Sequence, residues 1–224
     1  LVEGLVKLIE GQGGRIRLDT EVRRVLVEGD RVAGVELADG ERVEADIVVS
    51  NADSAWTYKE LLPGRPRRRW TDRKLARSRS SMGLFVWYFG TKRQYPDVPH
   101  HMIMMGPRYK GLLDDIFHRK LLADDFSLYL HRPTATDPSL APEGCDAFYV
   151  LSPVPNLDGD VDWNVEGERY RKRIEAHLEE TVLPGLSESL ATSRIMTPLD
   201  FRDRLLSYRG AGFGLEPILT QSAW

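Results

Sequence analysis

The chain has 224 residues, of which 42% are hydrophobic and 29% are charged, and it carries a formal net charge of −3. These values are ordinary for a globular domain; they exclude extensive disorder and give no strong field that would attract nucleic acid. The single cysteine, Cys145, excludes an intrachain disulfide. The apolar run from Met82 to Gly90 falls well short of the about 20 residues that cross a bilayer.

The first part of the chain is predicted to be a helix followed by short strands. Apolar residues at helical spacing predict a helix over roughly 1–11, which ends at a cluster of glycines. Strands are predicted at 15–18, 21–28, 31–38 and 45–49, separated by turn signals at Gly29-Asp30 and Asp39-Gly40. A helix through Trp56 and Leu61 follows. We expect a small antiparallel sheet whose last strand returns to something outside the chain.

The composition changes near Pro63, where we place a boundary between domains 1–62 and 63–224. Beyond it, the aromatic-rich segment 82–90 is apolar on both faces and predicts a central strand. Further elements are predicted from periodicity and cap signals: an amphipathic helix from Tyr109, strands at 126–131 and 147–152, the longest helix around 170–182, and a helix start at Thr197-Pro198.

Motifs for phosphate, metal or nucleophilic chemistry are weak. Neither G-x-G-x-x-G nor a P-loop is present, and the glycines at 11–14 and 210–214 suit turns better. The adjacent His100 and His101 would point to opposite faces of a strand, so we predict no metal site. Cys145 has no evident base nearby in the sequence and is interpreted as a structural thiol.

A basic run from Arg65 to Arg79 holds eight Lys or Arg in fifteen residues. It is open to two interpretations, a solvated surface or a patch that attracts anionic lipid headgroups at about 1 kcal/mol per cation. A nucleic-acid patch is disfavoured because Trp70 is the only aromatic residue in it. The helix after Tyr109 suits either a core-facing or a membrane-interfacial position, and the core-facing one is favoured.

Three separated blocks resemble one enzyme family. They are HRPTATDPSLAPEGCDAFYVLSPVPNL at 131–157, TPLDF at 197–201 and GAGFGLEPILTQSAW at 210–224. In this order and at about this spacing they resemble the bacterial-type carotenoid desaturases, whose best-known member is phytoene desaturase. The resemblance implies a mixed α/β fold, with part of a Rossmann-like FAD domain in 1–62 and a substrate domain with a mixed β-sheet covered by helices in 63–224.

The resemblance also implies roles for particular residues. The backbone of Val22 would contact the adenine of FAD, and the turn Asn51-Ala52-Asp53 would lie close to the cofactor; on spacing alone these residues form a hairpin and a helix cap. Glu216, Thr220 and Gln221 would line the substrate cavity. Proline-rich loops containing Pro138, Pro142, Pro153 and Pro155 would form rigid walls of an apolar channel. No catalytic base is assigned.

By resemblance, the full-length enzyme would use FAD to accept a hydride from a C40 or C30 polyene and so introduce double bonds. It would be a bacterial cytoplasmic enzyme attached peripherally to a membrane; its partners would be the polyene and the membrane surface, without nucleic acid, and its oligomeric state is left open. The chain lacks the family's glycine-rich flavin segments, so we expect an internal fragment that neither retains FAD nor desaturates alone. Alternatives are a carotenoid ketolase, hydroxyneurosporene-type dehydrogenase or retinol saturase, and a membrane-surface binding module.

Overall fold

A computed structural model of the chain describes residues 1–65 and 67–222, and it contains two compact units. The first unit comprises Leu1–Ala52 and Trp56–Asp72, and the second comprises Asp53–Ala55 and the residues from Arg73 onward. Each unit has its own β-sheet, and the predicted mixed α/β class is confirmed. The predicted boundary near Pro63, between an FAD-binding part and a substrate domain, stays a prediction. The last two residues of the third sequence block, 223–224, lie outside the described residues.

The first unit begins with helix α1 (Val2–Gly11), as predicted. Its sheet has the order β1-β2-β3, with β1 at Val22–Glu28, β2 at Arg31–Leu37 and β3 at Arg42–Glu44. Both pairs are antiparallel, and the predicted turns at Gly29-Asp30 and Asp39-Gly40 join the strands. Gly29 and Gly40 have φ of 56° and 92°, which a glycine adopts without a steric penalty.

Two predicted strands of the first unit, 15–18 and 45–49, are wrong, because neither segment is a strand. The pairing of β3 with β2 ends at Glu44, and beyond it the N–H of Ala45 donates to the carbonyl of Ala33. An apolar segment without a neighbouring strand has no partner for its backbone groups. Ile47 and Val49 accordingly remain 79% and 88% exposed.

A helical segment follows, with α2 at Ser54–Trp56 continuing into a π-helical turn at Thr57–Leu61, and α3 spans Asp72–Arg77. The second unit is built on an antiparallel sheet with the order β5-β6-β7-β4-β8. Its strands are β4 (Gly83–Thr91), β5 (His101–Met104), β6 (Leu128–His131), β7 (Asp146–Val154) and β8 (Leu190–Met196). The predicted central strand is confirmed, since β4 lies between β7 and β8. Strands β5 and β8 were not predicted.

The helices of the second unit are α4 (Tyr109–Asp114, followed by a π-helical turn to Arg119), α5 (Trp163–Thr181), α6 (Leu186–Ser189), α7 (Pro198–Arg204) and α8 (Leu219–Ser222). The longest predicted helix is confirmed as α5. The predicted start of α7 is also confirmed, because Thr197 and Asp200 form a capping box before Pro198. None of the helices in the described part of the chain combines the length and hydrophobicity that a membrane span requires.

The core of the second unit lies on one face of its sheet, against α5. Alternate residues of β4 and β7 point into it, and they meet the apolar face of the helix. The central members are Phe85, Trp87, Phe89, Phe148, Val150, Tyr170, Ile174 and Leu178. Two polar groups in this core are paired: the indole N–H of Trp87 donates to Ser193 Oγ at 2.8 Å, and the hydroxyls of Tyr170 and Ser152 lie 2.7 Å apart.

Candidate functional site

The opposite face of the five-stranded sheet is partly open. Because side chains alternate along a strand, the residues between the core positions project to this face. Tyr88 pairs with Tyr149 on β7 and with Arg194 on β8, and Gly90 pairs with Ala147. At one end of the face, Phe201 of α7 packs over apolar side chains of the sheet, namely Leu84, Val86, Leu151 and Met196.

A groove of about 570 Å³ runs along the open part of this face. Its floor includes Tyr88, Ala147 and Tyr149, and one wall is the loop containing Pro133 and Pro142. The lining is mainly apolar, and the volume lies within the range of about 300–1,000 Å³ that is usual for ligand sites. Pro142 lies on the groove wall, and its interpretation as the wall of a substrate channel stays a prediction. The interpretation of Pro153 as a loop residue is wrong, because Pro153 lies within β7 opposite Leu84.

A buried ion pair anchors the proline loop to the sheet. The guanidinium of Arg132 donates to Asp146 Oδ2 at 2.9 Å and to the carbonyl of Val98 at 3.0 Å. Asp146 also accepts from the Thr134 hydroxyl at 2.7 Å and from the backbone N–H of Tyr95 at 2.7 Å. Asp146 is 1% exposed, so its charge is compensated by donors of the protein rather than by water.

Three tyrosines give the open face its chemical character. The ring centroids of Tyr88 and Tyr149 lie 5.8 Å apart, and those of Tyr129 and Tyr149 lie 5.7 Å apart. Burial raises the pKa of Tyr149 to about 12, and its hydrogen bond with Tyr129 acts in the same direction. The phenol of Tyr149 therefore stays neutral at physiological pH, which makes this part of the face suitable for packing and not for taking up a proton.

Three histidines meet at the β5–β6 end of the same sheet. His101 lies opposite His131 in the antiparallel pair, and His100 directly precedes β5. The Nε2 atoms of His100 and His131 are 2.8 Å apart, and the ring centroids of His100 and His101 are 4.2 Å apart. The expectation that the adjacent histidines diverge is thus wrong: both rings turn toward His131. Sequence spacing gave no signal for the third member, which comes from another strand.

Residues 1–144 match the protein family described as flavin containing amine oxidoreductase. The chain belongs to the flavin-containing amine oxidoreductase family. The predicted class of cofactor, a flavin, agrees with this family.

Bacterial phytoene desaturases are among the relatives of this chain. A phytoene desaturase (neurosporene-forming) of Rhodobacter capsulatus is 53% identical over 230 residues, which cover 100% of this chain and 44% of the relative. A phytoene desaturase (lycopene-forming) of Pantoea ananas is 47% identical, with 100% of this chain and 46% of the relative covered. The chain therefore spans less than half the length of these relatives, and the resemblance to bacterial carotenoid desaturases is confirmed.

A solved structure shows the likeness of the fold. The crystal structure of an oxidoreductase from Methanosarcina mazei matches with a TM-score of 0.58 and 20% sequence identity, over 88% of this chain and 41% of that chain. At this identity the match supports the fold alone.

The residues predicted to contact the family's flavin belong to both units. Val22 begins β1, which is an edge strand of the sheet in the first unit. The N–H of Ala38 bonds to the carbonyl of Glu21, so the polar backbone groups of Val22, one residue on, point away from β2 toward the open edge. This geometry fits a backbone contact with a planar ring. Asn51 and Ala52 lie exposed in the first unit, and Asp53 is half-buried in the second.

The residues predicted to line the substrate cavity lie near the chain's end and do not border the groove. Gln221 pairs with the backbone of Arg79, accepting from its N–H at 3.0 Å and donating to its carbonyl at 2.7 Å. Glu216 forms an ion pair with the Arg79 side chain at 2.6 Å, and Thr220 is exposed. Their role in lining a cavity stays a prediction.

The basic run is partly engaged within the described residues. In the first unit, Arg65 donates to the carbonyl of Val27, and Arg67 bonds to the carbonyl of Tyr58 and to Asp72. In the second unit, Arg79 is held by Glu216. Other basic residues of the run are exposed, including Arg68, Arg69, Arg73 and Arg77. The run is therefore a mixed surface, in which some cations have structural partners.

Proposed function

We propose that this chain is part of an FAD-dependent carotenoid desaturase, which introduces double bonds into phytoene-like polyenes. The observation that carries the proposal is the 53% identity to a phytoene desaturase across the whole chain. The apolar groove supports it independently, since a polyene offers no polar group and is held by apolar burial, at about 25 cal/mol per Å² removed from water.

The residues of the chain would bind and orient the polyene and exclude water from it. The flavin, when bound, accepts the hydride. Tyr88 and Tyr149 would form an aromatic floor for an extended hydrocarbon, and the loop held by the Arg132–Asp146 pair would form a fixed wall. A rigid site of this kind restricts the positions of the substrate carbons, which is how orientation lowers a reaction barrier.

For the cofactor, we propose that the outward-facing backbone of Val22 contacts the adenine and that Asn51, Ala52 and Asp53 lie close to the dinucleotide. The open edge of β1 supports the first assignment. We also propose a peripheral position on the cytoplasmic side of a bacterial membrane, from which the polyene would be drawn. Exposed arginines such as Arg68 and Arg69 support it, because cations near anionic headgroups each contribute about 1 kcal/mol.

A chimeric enzyme tests the proposal. The matching segment of the Rhodobacter capsulatus desaturase would be replaced by this chain, and the chimera would be produced in a bacterium that accumulates phytoene. We expect FAD to be retained and coloured, more conjugated products to form. Tyr149→Ala should lower the product yield about tenfold, the effect of about 1.4 kcal/mol of lost binding. The matched control Tyr109→Ala changes an exposed tyrosine that does not line the groove and should leave the yield unchanged.

The chimera also separates the alternatives. A folded, FAD-containing chimera that leaves phytoene unchanged but converts β-carotene would contradict the desaturase assignment and favour a ketolase or saturase. A binding module without a redox role would yield a chimera that binds anionic liposomes and leaves phytoene, neurosporene and β-carotene all unconverted.

A further inference from the structure

The cluster of His100, His101 and His131 has no part in the function proposed above. The chain has five histidines, and three of them offer ring nitrogens that all lie within 4.8 Å of one another. The pairing of β5 with β6 creates the cluster, because His101 and His131 are opposite each other at the end of the ladder. Residues that lie opposite in an antiparallel pair have Cβ atoms about 5 Å apart, so two imidazoles there share one space.

The distances suit coordination of one metal ion. The Nε2 atoms of His100 and His131 are 2.8 Å apart. Two nitrogens bound to Zn²⁺ at about 2.0–2.1 Å each stand about 3.3 Å apart in a tetrahedron. A shift of about half an ångström would therefore turn this contact into a pair of ligands, which is within the reach of ordinary side-chain rotation.

The second nitrogens of two rings have partners that would orient them. His100 Nδ1 bonds to Thr136 Oγ1, and His101 Nδ1 lies 2.6 Å from Tyr129 Oη. Metal-binding histidines nearly always use their other nitrogen in this way, because the hydrogen bond fixes the tautomer and the direction of the ring. Within the described residues, His131 Nδ1 is buried without a hydrogen-bond partner, which is costly for a polar atom.

The chemistry of the three side chains limits the ions that the cluster can bind. The cluster contains histidines only, and an all-nitrogen set suits Zn²⁺, Ni²⁺ or Cu²⁺ far better than Mg²⁺ or Ca²⁺.

We propose that His100, His101 and His131 form a binding site for one divalent transition cation of the Zn²⁺ type. Three protein ligands leave a tetrahedral position for water. The ion would join β5, a short strand at one edge of the sheet, to the end of β6. The sequence-based expectation of no metal site is thereby replaced.

Calorimetric titration of the metal-stripped chain with ZnCl₂ tests the site. We expect one Zn²⁺ per chain, a higher unfolding temperature with Zn²⁺, no binding of Mg²⁺, and visible absorption bands typical of tetrahedral geometry when Co²⁺ is substituted. His101→Ala removes an exposed ring and should weaken Zn²⁺ binding more than about 10-fold, because even the loss of a hydrogen-bond partner of a ligand costs about 10–100-fold. His118→Ala is the matched control, because His118 is exposed and lies outside the cluster.

Two results would overturn the proposal. One is the absence of stoichiometric Zn²⁺ binding by the unaltered chain. The other is binding that His101→Ala and His100→Ala both retain at full affinity while circular dichroism shows them folded. Because the unaltered chain is titrated directly, the proposal can be rejected even if a variant fails to fold. The outcome is independent of flavin binding and of polyene conversion.

Discussion

The two units of the chain differ in how they treat their apolar residues. In the second unit, the large side chains of β4, β7 and α5 are buried in one core. In the first, α1 buries no residue, although its apolar residues follow helical periodicity, and Leu8 is 56% exposed. A helix with an apolar stripe packs that stripe against a neighbour in a globular protein. The periodicity of apolar residues therefore predicts a helix, while the burial of those residues depends on whether another element packs against them.

The largest expected effect concerns the buried ion pair of the second unit. Asp146→Ala removes the acceptor of Arg132, Thr134 and Tyr95 and leaves the guanidinium buried without its counter-charge. Loss of one partner from a buried pair costs about 3–5 kcal/mol. Urea unfolding followed by tryptophan fluorescence would measure it. An unchanged midpoint would show that the loop is not anchored by this pair.

The next prediction compares one substitution in both units. Leu178→Ala, at a side chain of 0% exposure in α5, should lower the free energy of unfolding by about 2–5 kcal/mol. Leu8→Ala, in α1, should change it by less than about 0.5 kcal/mol, since the side chain already meets solvent. Equal losses at the two positions would mean that α1 is covered in solution, for example by a second copy, and concentration-dependent stability would then be expected.

The alkaline pH dependence should also come from the second unit. Burial raises the pKa of Tyr170, like that of Tyr149, from the ordinary value of 10.0 to about 12. Between pH 10 and 12 the unfolded chain loses these phenolic protons while the folded chain keeps them, so stability should fall as pH rises through this range. Absorbance at the phenolate wavelength would report the titration. Tyr149→Phe and Tyr170→Phe should each remove one late-titrating group, and a variant that removes none would refute the assignment.

The smallest effect is expected at an exposed ion pair of the first unit. Arg17 and Glu41 form a two-pronged contact with distances of 2.8 Å and 2.7 Å, but both side chains are 48% exposed. Water and salt screen such pairs, so Arg17→Ala should leave the unfolding midpoint almost unchanged at physiological salt. A loss comparable with that of Asp146→Ala would remove the contrast between the two units.

Much of the fold could be predicted because local signals and tertiary structure agree. The strand at Gly83–Thr91 lies between β7 and β8. One of its faces lies on the core and the other contributes to the groove, which agrees with apolar residues on both faces. The helix α7 starts where Thr197 and Pro198 predict it, since capping depends only on neighbouring residues. The segment 45–49 was mistaken for a strand because its apolar residues satisfy a local pattern while the structure gives them no neighbouring strand.

The candidate site was less predictable because it depends on long-range pairing. The groove brings Tyr88 and Tyr149 together from strands β4 and β7, which lie far apart in the sequence. The histidine cluster arises in the same way, from the register that places His101 opposite His131. By contrast, the position of Pro142 in a loop could be anticipated, because proline restricts its own backbone wherever it occurs.

The alternation of side chains along β4 has a consequence for how such a protein can diversify. Trp87 and Phe89 belong to the core, whereas Tyr88, between them, belongs to the groove. Selection can therefore remodel the groove floor through substitutions at every second position without disturbing the interior that supports it. Substitutions on one face of β4 can thus change the groove while the residues on its other face keep the core intact, so that related sequences can bind different ligands on the same fold.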